Sequence, residues 1–185
     1  MVWAIVIILL VAADQLLKAL IKANIAPSDQ IGVIDGFFYI INRKNKGAAW
    51  SFLANQDWGL YLLAGISAII TVVILVLIYR SRHVKLQACL TIICAGSIGN
   101  LIDRIRDGGV TDFLDFHFGA YVFPTFNLAD MCIVCGTILL CLLILLDPSL
   151  HHLFSDAQPG GDSGSGPAKQ EPKKKEEPHA SERSD

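Results

Sequence analysis

Four stretches of this 185-residue chain are apolar almost without interruption: residues 2–21, 59–79, 86–102 and 126–146. Crossing about 30 Å of hydrocarbon takes roughly 20 such residues in a helix, so the pattern predicts four membrane-spanning helices. The second is the cleanest, with no formal charge between Gly59 and Tyr79, whereas the third is shorter and runs straight into Asp103 and Arg104. The first contains Val11-Ala12-Ala13, which resembles the small-residue site of a signal peptide. No Lys or Arg precedes it, however, and the apolar pattern continues through Leu16, Leu17, Leu20 and Ile21. It reads as a retained helix.

The segments between the spans are unequal. Residues 22–58 form a loop long enough to carry structure of its own. Within it, Ile31-Gly-Val-Ile-Asp-Gly-Phe-Phe-Tyr-Ile-Ile is rich in branched and aromatic residues, punctuated by Gly32 and Gly36, and predicts β structure. Ala48-Ala-Trp-Ser-Phe-Leu is the expected pairing partner. The turn at 80–85 holds Arg80, Arg82 and Lys85, a density that marks the cytoplasmic side. Both termini then face the cytoplasm, and the loops 22–58 and 103–125 face outward, although Arg43, Lys44 and Lys46 run against that assignment. The expected fold class is an all-α membrane protein: four transmembrane helices with a small β-containing extracytoplasmic loop region. Residues 1–154 make the membrane domain. Residues 155–185 lack Val, Ile, Leu, Met, Cys and every aromatic, so they are expected to form a disordered cytoplasmic tail.

Composition agrees with a membrane protein. Hydrophobic residues make up 53% and charged residues 17%, against about 45–50% and about 25% in soluble domains. Charge is balanced before Ser155, with ten basic and ten acidic residues, and five basic and seven acidic follow. Nothing in that balance points to nucleic acid. Five cysteines lie in apolar runs. Cys132 and Cys135 form a C-x-x-C without a second pair at zinc spacing, so the five read as small packing residues. Gly161-Asp162-Ser163-Gly164 imitates a serine-nucleophile motif but sits in the tail, where no base is held near it.

Ionisable residues within spans are costly and therefore candidates for function. Asp14 and Lys18 stand at i and i+4 and can pair; Gln15 lies beside them. Asn100, Asp103 and Arg104 share one face of the third span, with Ala95 and Gly99 as a small-residue stripe for close helix contact. Asn127 and Asp130 open the fourth span. Upstream, Gly108-Gly109 makes a turn followed by Asp112 between apolar neighbours. If spans three and four are neighbours, Asp112 and Asp130 meet near the outer membrane boundary. Two carboxylates in such a place share a proton, and one acts as base on water while the other acts as acid. No His, Cys and carboxylate set has metal spacing. Paired intramembrane acids suit an aspartic protease, and they equally suit a small proton- or cation-coupled transporter.

Five stretches resemble motifs of the bacterial lipoprotein signal peptidase (signal peptidase II) family: Asp14-Gln-Leu-Leu-Lys18, Asn45-Lys-Gly47-Ala-Ala-Trp-Ser, Gly99-Asn100-Leu-Ile-Asp103-Arg104, Val110-Thr-Asp112-Phe113 and Phe126-Asn127-Leu-Ala129-Asp130. They follow the family's order and cover nearly all of residues 1–146. Trp50 stands where the family usually has Phe.

The resemblance implies an intramembrane aspartic endopeptidase of the bacterial inner membrane. Such an enzyme cuts the signal peptide from prolipoproteins just before a diacylglyceryl-modified cysteine. Asp112 and Asp130 would be the catalytic pair near the periplasmic face. Asp14, Lys18, Asn45, Gly47, Asn100, Asp103, Arg104, Asn127 and Ala129 would bind substrate or support the pair. The implied partners are the lipid-modified substrate, membrane lipid and the cyclic peptide inhibitor globomycin, and the resemblance implies no metal or organic cofactor. Asp115, three residues beyond Asp112, falls outside the motif.

Overall fold

The computed structural model describes residues 1–47 and 58–147. The expected pairing segment at 48–53 and the expected tail at 155–185 both lie outside them. Four helices are long and apolar enough to cross a membrane: α1 (Val2–Asn24), α2 (Gly59–Arg80), α3 (Val84–Asp107) and α4 (Leu128–Leu146). The third span is longer than its apolar run, because Asp103, Arg104 and Arg106 continue the same helix. Gly108 ends it in the left-handed conformation at φ 63°, a geometry that favours glycine.

Helix α3 packs against α1, α2 and α4. More than half of its apolar stretch (56%) is buried inside the protein, against 11–17% for the other three. That position explains its weaker hydropathy: a helix surrounded by protein can carry polar groups where a lipid-facing one cannot. Ile74 and Ile78 of α2 meet Leu90 and Cys94 of α3 in the apolar core. At that end, Gln87 accepts from Trp3 Nε1 at 2.9 Å and donates to the carbonyls of Ile78 (3.0 Å) and Ser81 (2.9 Å). Close approach to α4 runs through Gly96 and Gly99, where the sequence spacing pointed to Ala95 and Gly99. A side chain at Gly96 would collide with the Ala129 carbonyl, and one at Gly99 would lie 3.1 Å from Ala129 Cβ. Cys89, Cys94 and Cys132 are buried as expected, but Cys135 and Cys141 are exposed on the helix surface.

The β region differs from the expectation. The 31–41 stretch is two strands, β1 (Gln30–Ile34) and the start of β2 (Phe38–Asn45), joined by a turn with Gly36 at φ 72°. The partner of β2 is β3 (Val110–Phe118), which the sequence presented as a turn and an isolated aspartate; β4 (Tyr121–Val122) completes an antiparallel sheet in the order β1-β2-β3-β4. The β2–β3 register shifts between Ile40 and Arg43. Such a bulge bends a strand and re-aims the side chains beyond it, here Arg43 and Asn45. The fourth span starts two residues late because Phe126 is still β-bonded: its carbonyl accepts from the backbone N–H groups of Phe113 (3.0 Å) and Leu114 (2.9 Å). Phe38, Phe116 and Phe126 stack in sequence, with centroids 4.5 and 5.8 Å apart. Sheet and helix α4 are therefore locked together at the residue before Asn127.

Candidate active site

Asn127 caps α4. Its side chain accepts from the Asp130 backbone N–H at 3.0 Å, and its own backbone N–H donates to Asp130 Oδ2 at 3.1 Å. This reciprocal box satisfies two otherwise orphaned donors and fixes the Asp130 carboxylate at the helix mouth. The Asn127 amide nitrogen then reaches the other way, to Asp112 Oδ1 at 2.8 Å and to Asn100 Oδ1 at 3.2 Å. One fully buried asparagine thus holds carboxylates from two elements. Asp112 also accepts from Asn45 Nδ2 (3.1 Å) on β2, and Asp130 from Asn100 Nδ2 (2.7 Å) on α3. Gly47 N–H donates to Asn45 Oδ1 at 2.9 Å and orients that amide.

Asp112 is 2% exposed. Burial, and next the negative charge of Asp130, push its carboxyl up to about 6, against the pull of the Asn45 and Asn127 donors and of Lys18. The carboxyl therefore holds its proton far more readily than an ordinary aspartate.

Behind the pair lies a charged cluster. Lys18, without solvent exposure, sits 2.8 Å from Asp14 Oδ2 and 3.0 Å from Asp103 Oδ2, and donates to Asn100 Oδ1 at 3.1 Å. Asp14 accepts the Ala129 N–H at 3.0 Å, another free donor of the first turn of α4. Asp103 accepts the Thr111 N–H at 3.2 Å, which pins β3 beside Asp112. The three polar residues of α3 consequently divide their work. Asn100 faces the carboxylate pair and Asp103 faces α1 and β3. Arg104 reaches only the Asn100 carbonyl, at 3.4 Å, and its buried Nε has no partner among the described residues.

All eleven residues singled out from the sequence join this one connected assembly. Gln15, noted in the sequence beside Asp14 and Lys18 but given no role, joins it too, whereas buried Asp115 stands apart from it. Gln15 donates to Asp103 Oδ1 at 2.9 Å and to the Gly99 carbonyl at 3.2 Å; its position within an apolar span was the available signal. Asp115 is buried on β3 with Oδ2 2.8 Å from His117 Nε2, and nothing in its spacing foretold that burial. Among the described residues no group of three or more His, Cys, Asp or Glu is arranged to hold a metal.

Residues 6–146 match the Signal peptidase (SPase) II family. A lipoprotein signal peptidase of Bacillus pumilus is 39% identical over 151 residues, covering 80% of this chain and 94% of its own. That of Bacillus subtilis is 37% identical over 151 residues, covering 80% and 95%. A solved bacterial membrane enzyme superposes with a TM-score of 0.70 at 30% identity, covering 79% of this chain and 94% of its own. These matches give the transporter alternative no support. With the family's pattern spanning all four helices and the sheet, this multi-pass membrane protein belongs to the signal peptidase II family.

Proposed function

We propose that the chain removes the signal peptide from diacylglyceryl-modified prolipoproteins, hydrolysing the peptide bond before the lipidated cysteine, with Asp112 and Asp130 as the catalytic pair. The observation that carries this reading is the bridge made by Asn127, whose side chain donates to Asp112 and whose backbone donates to Asp130. Unlike Asp14 and Asp103, whose charges are met by Lys18, Asp112 and Asp130 are held together by amide donors alone.

The pair shares one proton. Asp112, whose carboxyl is raised to about 6, gives its proton to the scissile carbonyl oxygen. Asp130 takes a proton from the attacking water, and the proton returns through the pair to the leaving amine. Arg104, with unused donor capacity, is placed to hold a substrate carbonyl. Lys18, Asp14 and Asp103 keep Asn100 and the start of α4 in place, and Asn45 and Gly47 aim Asp112.

The ends of α1 and α3 and the start of α4 carry this assembly and the sheet, and the basic turn at 80–85 is at the opposite end of α3. By the positive-inside bias the site then faces the periplasm, with both termini cytoplasmic in a bacterial inner membrane. Residues 1–154 form the peptidase domain and 155–185 its tail. Membrane lipid surrounds the spans, and globomycin competes for the site. The test is incubation of membranes holding the chain with a diacylglyceryl-modified prolipoprotein, read by the size of the lipidated product. Release of the signal peptide, blocked by globomycin, is expected. Failure to process any such substrate overturns the reading.

A further inference from the structure

Beside the end of α1, the sheet holds a cavity of about 290 Å³ lined by Ser28, Asp29, Asn42, Arg43, Lys44 and Asp115 among others. The bulge between Ile40 and Arg43 lies along it, and Asn42 secures its wall by donating to the Ile25 carbonyl at 2.8 Å. Asp115 is only 4% exposed. One of its oxygens is occupied by His117, and the other, Oδ1, is buried with no partner among the described residues. A buried carboxylate oxygen without a donor is costly, and native structures rarely leave one so. The site calls for a ligand that brings N–H groups.

The remaining lining narrows that ligand. Two carboxylates (Asp29, Asp115) and two exposed cations (Arg43, Lys44) face one small space. This lining is neutral overall but divided in sign, and it complements a group carrying both an ammonium and a phosphate. The location narrows it again. The cavity begins three residues past the end of a membrane-spanning helix, a place that suits contact with lipid headgroups. The adjoining strand β1 is exposed along its whole length, with Ile31, Val33 and Ile34 each about half accessible. A strand apolar and uncovered on both faces suits the interface between headgroups and acyl chains.

We propose that this cavity binds the headgroup of a zwitterionic phospholipid bearing a primary ammonium, a phosphoethanolamine lipid. The side chains of Arg43 and Lys44, long and exposed, turn outward to the phosphate. The ammonium donates to the vacant oxygen of Asp115, which lines the cavity, and to Asp29. At about 290 Å³ the cavity stands at the small end of ligand pockets, roughly 300–1,000 Å³.

The choline headgroup is the discriminating probe, since it keeps the positive charge but has no N–H to donate. Lipid retention is measured by native mass spectrometry on the full chain released from nanodiscs of equal phosphatidylethanolamine and phosphatidylcholine. Expected is about a tenfold preference for the ethanolamine lipid, or about 1.4 kcal/mol, the strength of one charge-assisted hydrogen bond. Asp115→Asn should abolish the preference. Because a buried aspartate can matter for folding, the surface pair Arg43→Gln with Lys44→Gln is the second variant, and it should lower ethanolamine-lipid retention several-fold. Equal retention of the two lipids by the wild type overturns the proposal, as does an unaltered preference in both variants. Soluble phosphoethanolamine displacing the lipid at micromolar concentration would show a site for the free group and overturn the lipid assignment. Variants that slow substrate cleavage while retaining the lipid normally would assign the cavity to the peptide's path instead.

Discussion

Lys18 Nζ lies 3.1 Å from Asn100 Oδ1 across 82 residues of sequence. The same ammonium is paired with Asp14 and Asp103, so one buried cation serves two carboxylates and the amide that holds Asp130. Removing one partner of a buried ion pair leaves uncompensated charge, at about 3–5 kcal/mol. Lys18→Met should therefore destabilise the protein by about that much in thermal unfolding in detergent. The triple change Lys18→Met, Asp14→Asn and Asp103→Asn should recover part of the loss. A single variant as stable as wild type would show that the cluster is not what holds α1 to α3.

Asp112→Asn and Asp130→Asn preserve side-chain size but remove the proton traffic. Each should abolish prolipoprotein cleavage while membrane insertion and unfolding temperature stay near wild type. Turnover above a few per cent by either, at matched abundance, contradicts the pairing.

The pH dependence follows from Asp112. Its folded carboxyl is raised to about 6, above the roughly 3.9 of an unfolded chain. Between those values the folded state holds a proton that the unfolded state has lost, so this group's contribution to stability falls as pH rises through the window. The same deprotonation removes the catalytic acid, giving kcat/KM an alkaline limb with an apparent pKa of the pair near 6. Asn45 donates to Asp112 and pulls its carboxyl down, so Asn45→Ala should move that limb to higher pH. A limb that stays still or moves down would remove Asn45 from the pair's surroundings.

Arg104 and Asn100 separate a site-lining role from a structural one. Arg104→Lys keeps the charge but loses the planar fork of donors and should not restore full activity. Asn100→Ala strips Asp130 and Lys18 of a shared partner, at about 1–3 kcal/mol, or about tenfold to a hundredfold in rate. Wild-type turnover in both variants would place α3 outside the reaction.

Gly99 lies where α1, α3 and α4 converge. A Cβ there would be 2.7 Å from Asp14 Oδ2 and 3.1 Å from Ala129 Cβ. Gly99→Ala should cost about 1–3 kcal/mol through overpacking and displace the Asp14 bond to the start of α4, seen as a lower unfolding temperature and reduced turnover. Unchanged stability would mean that the three helices part easily at this point.

The chain by itself determined the four spans, because the length of an apolar run against bilayer thickness is a property of sequence alone. It likewise determined which polar residues were costly enough to matter, and Asp14, Lys18, Asn100, Asp103, Arg104, Asn127 and Asp130 all stand within or at the edge of those runs. Tertiary structure decided what the residues do for one another. The partner of β2 lies more than sixty residues away on β3, and no local pattern announces a pairing of that range. The i, i+3, i+4 spacing of Asn100, Asp103 and Arg104 placed them on one face. Only the packing of α1, α4 and β3 around α3 turned Asn100 toward Asp130 and Asp103 toward Lys18. Asn127 shows the division most sharply: its place before an apolar helix with Asp130 three residues on is a cap readable from sequence, whereas its reach to Asp112 exists because the Leu114–Phe126 bridge brings β3 to the mouth of α4.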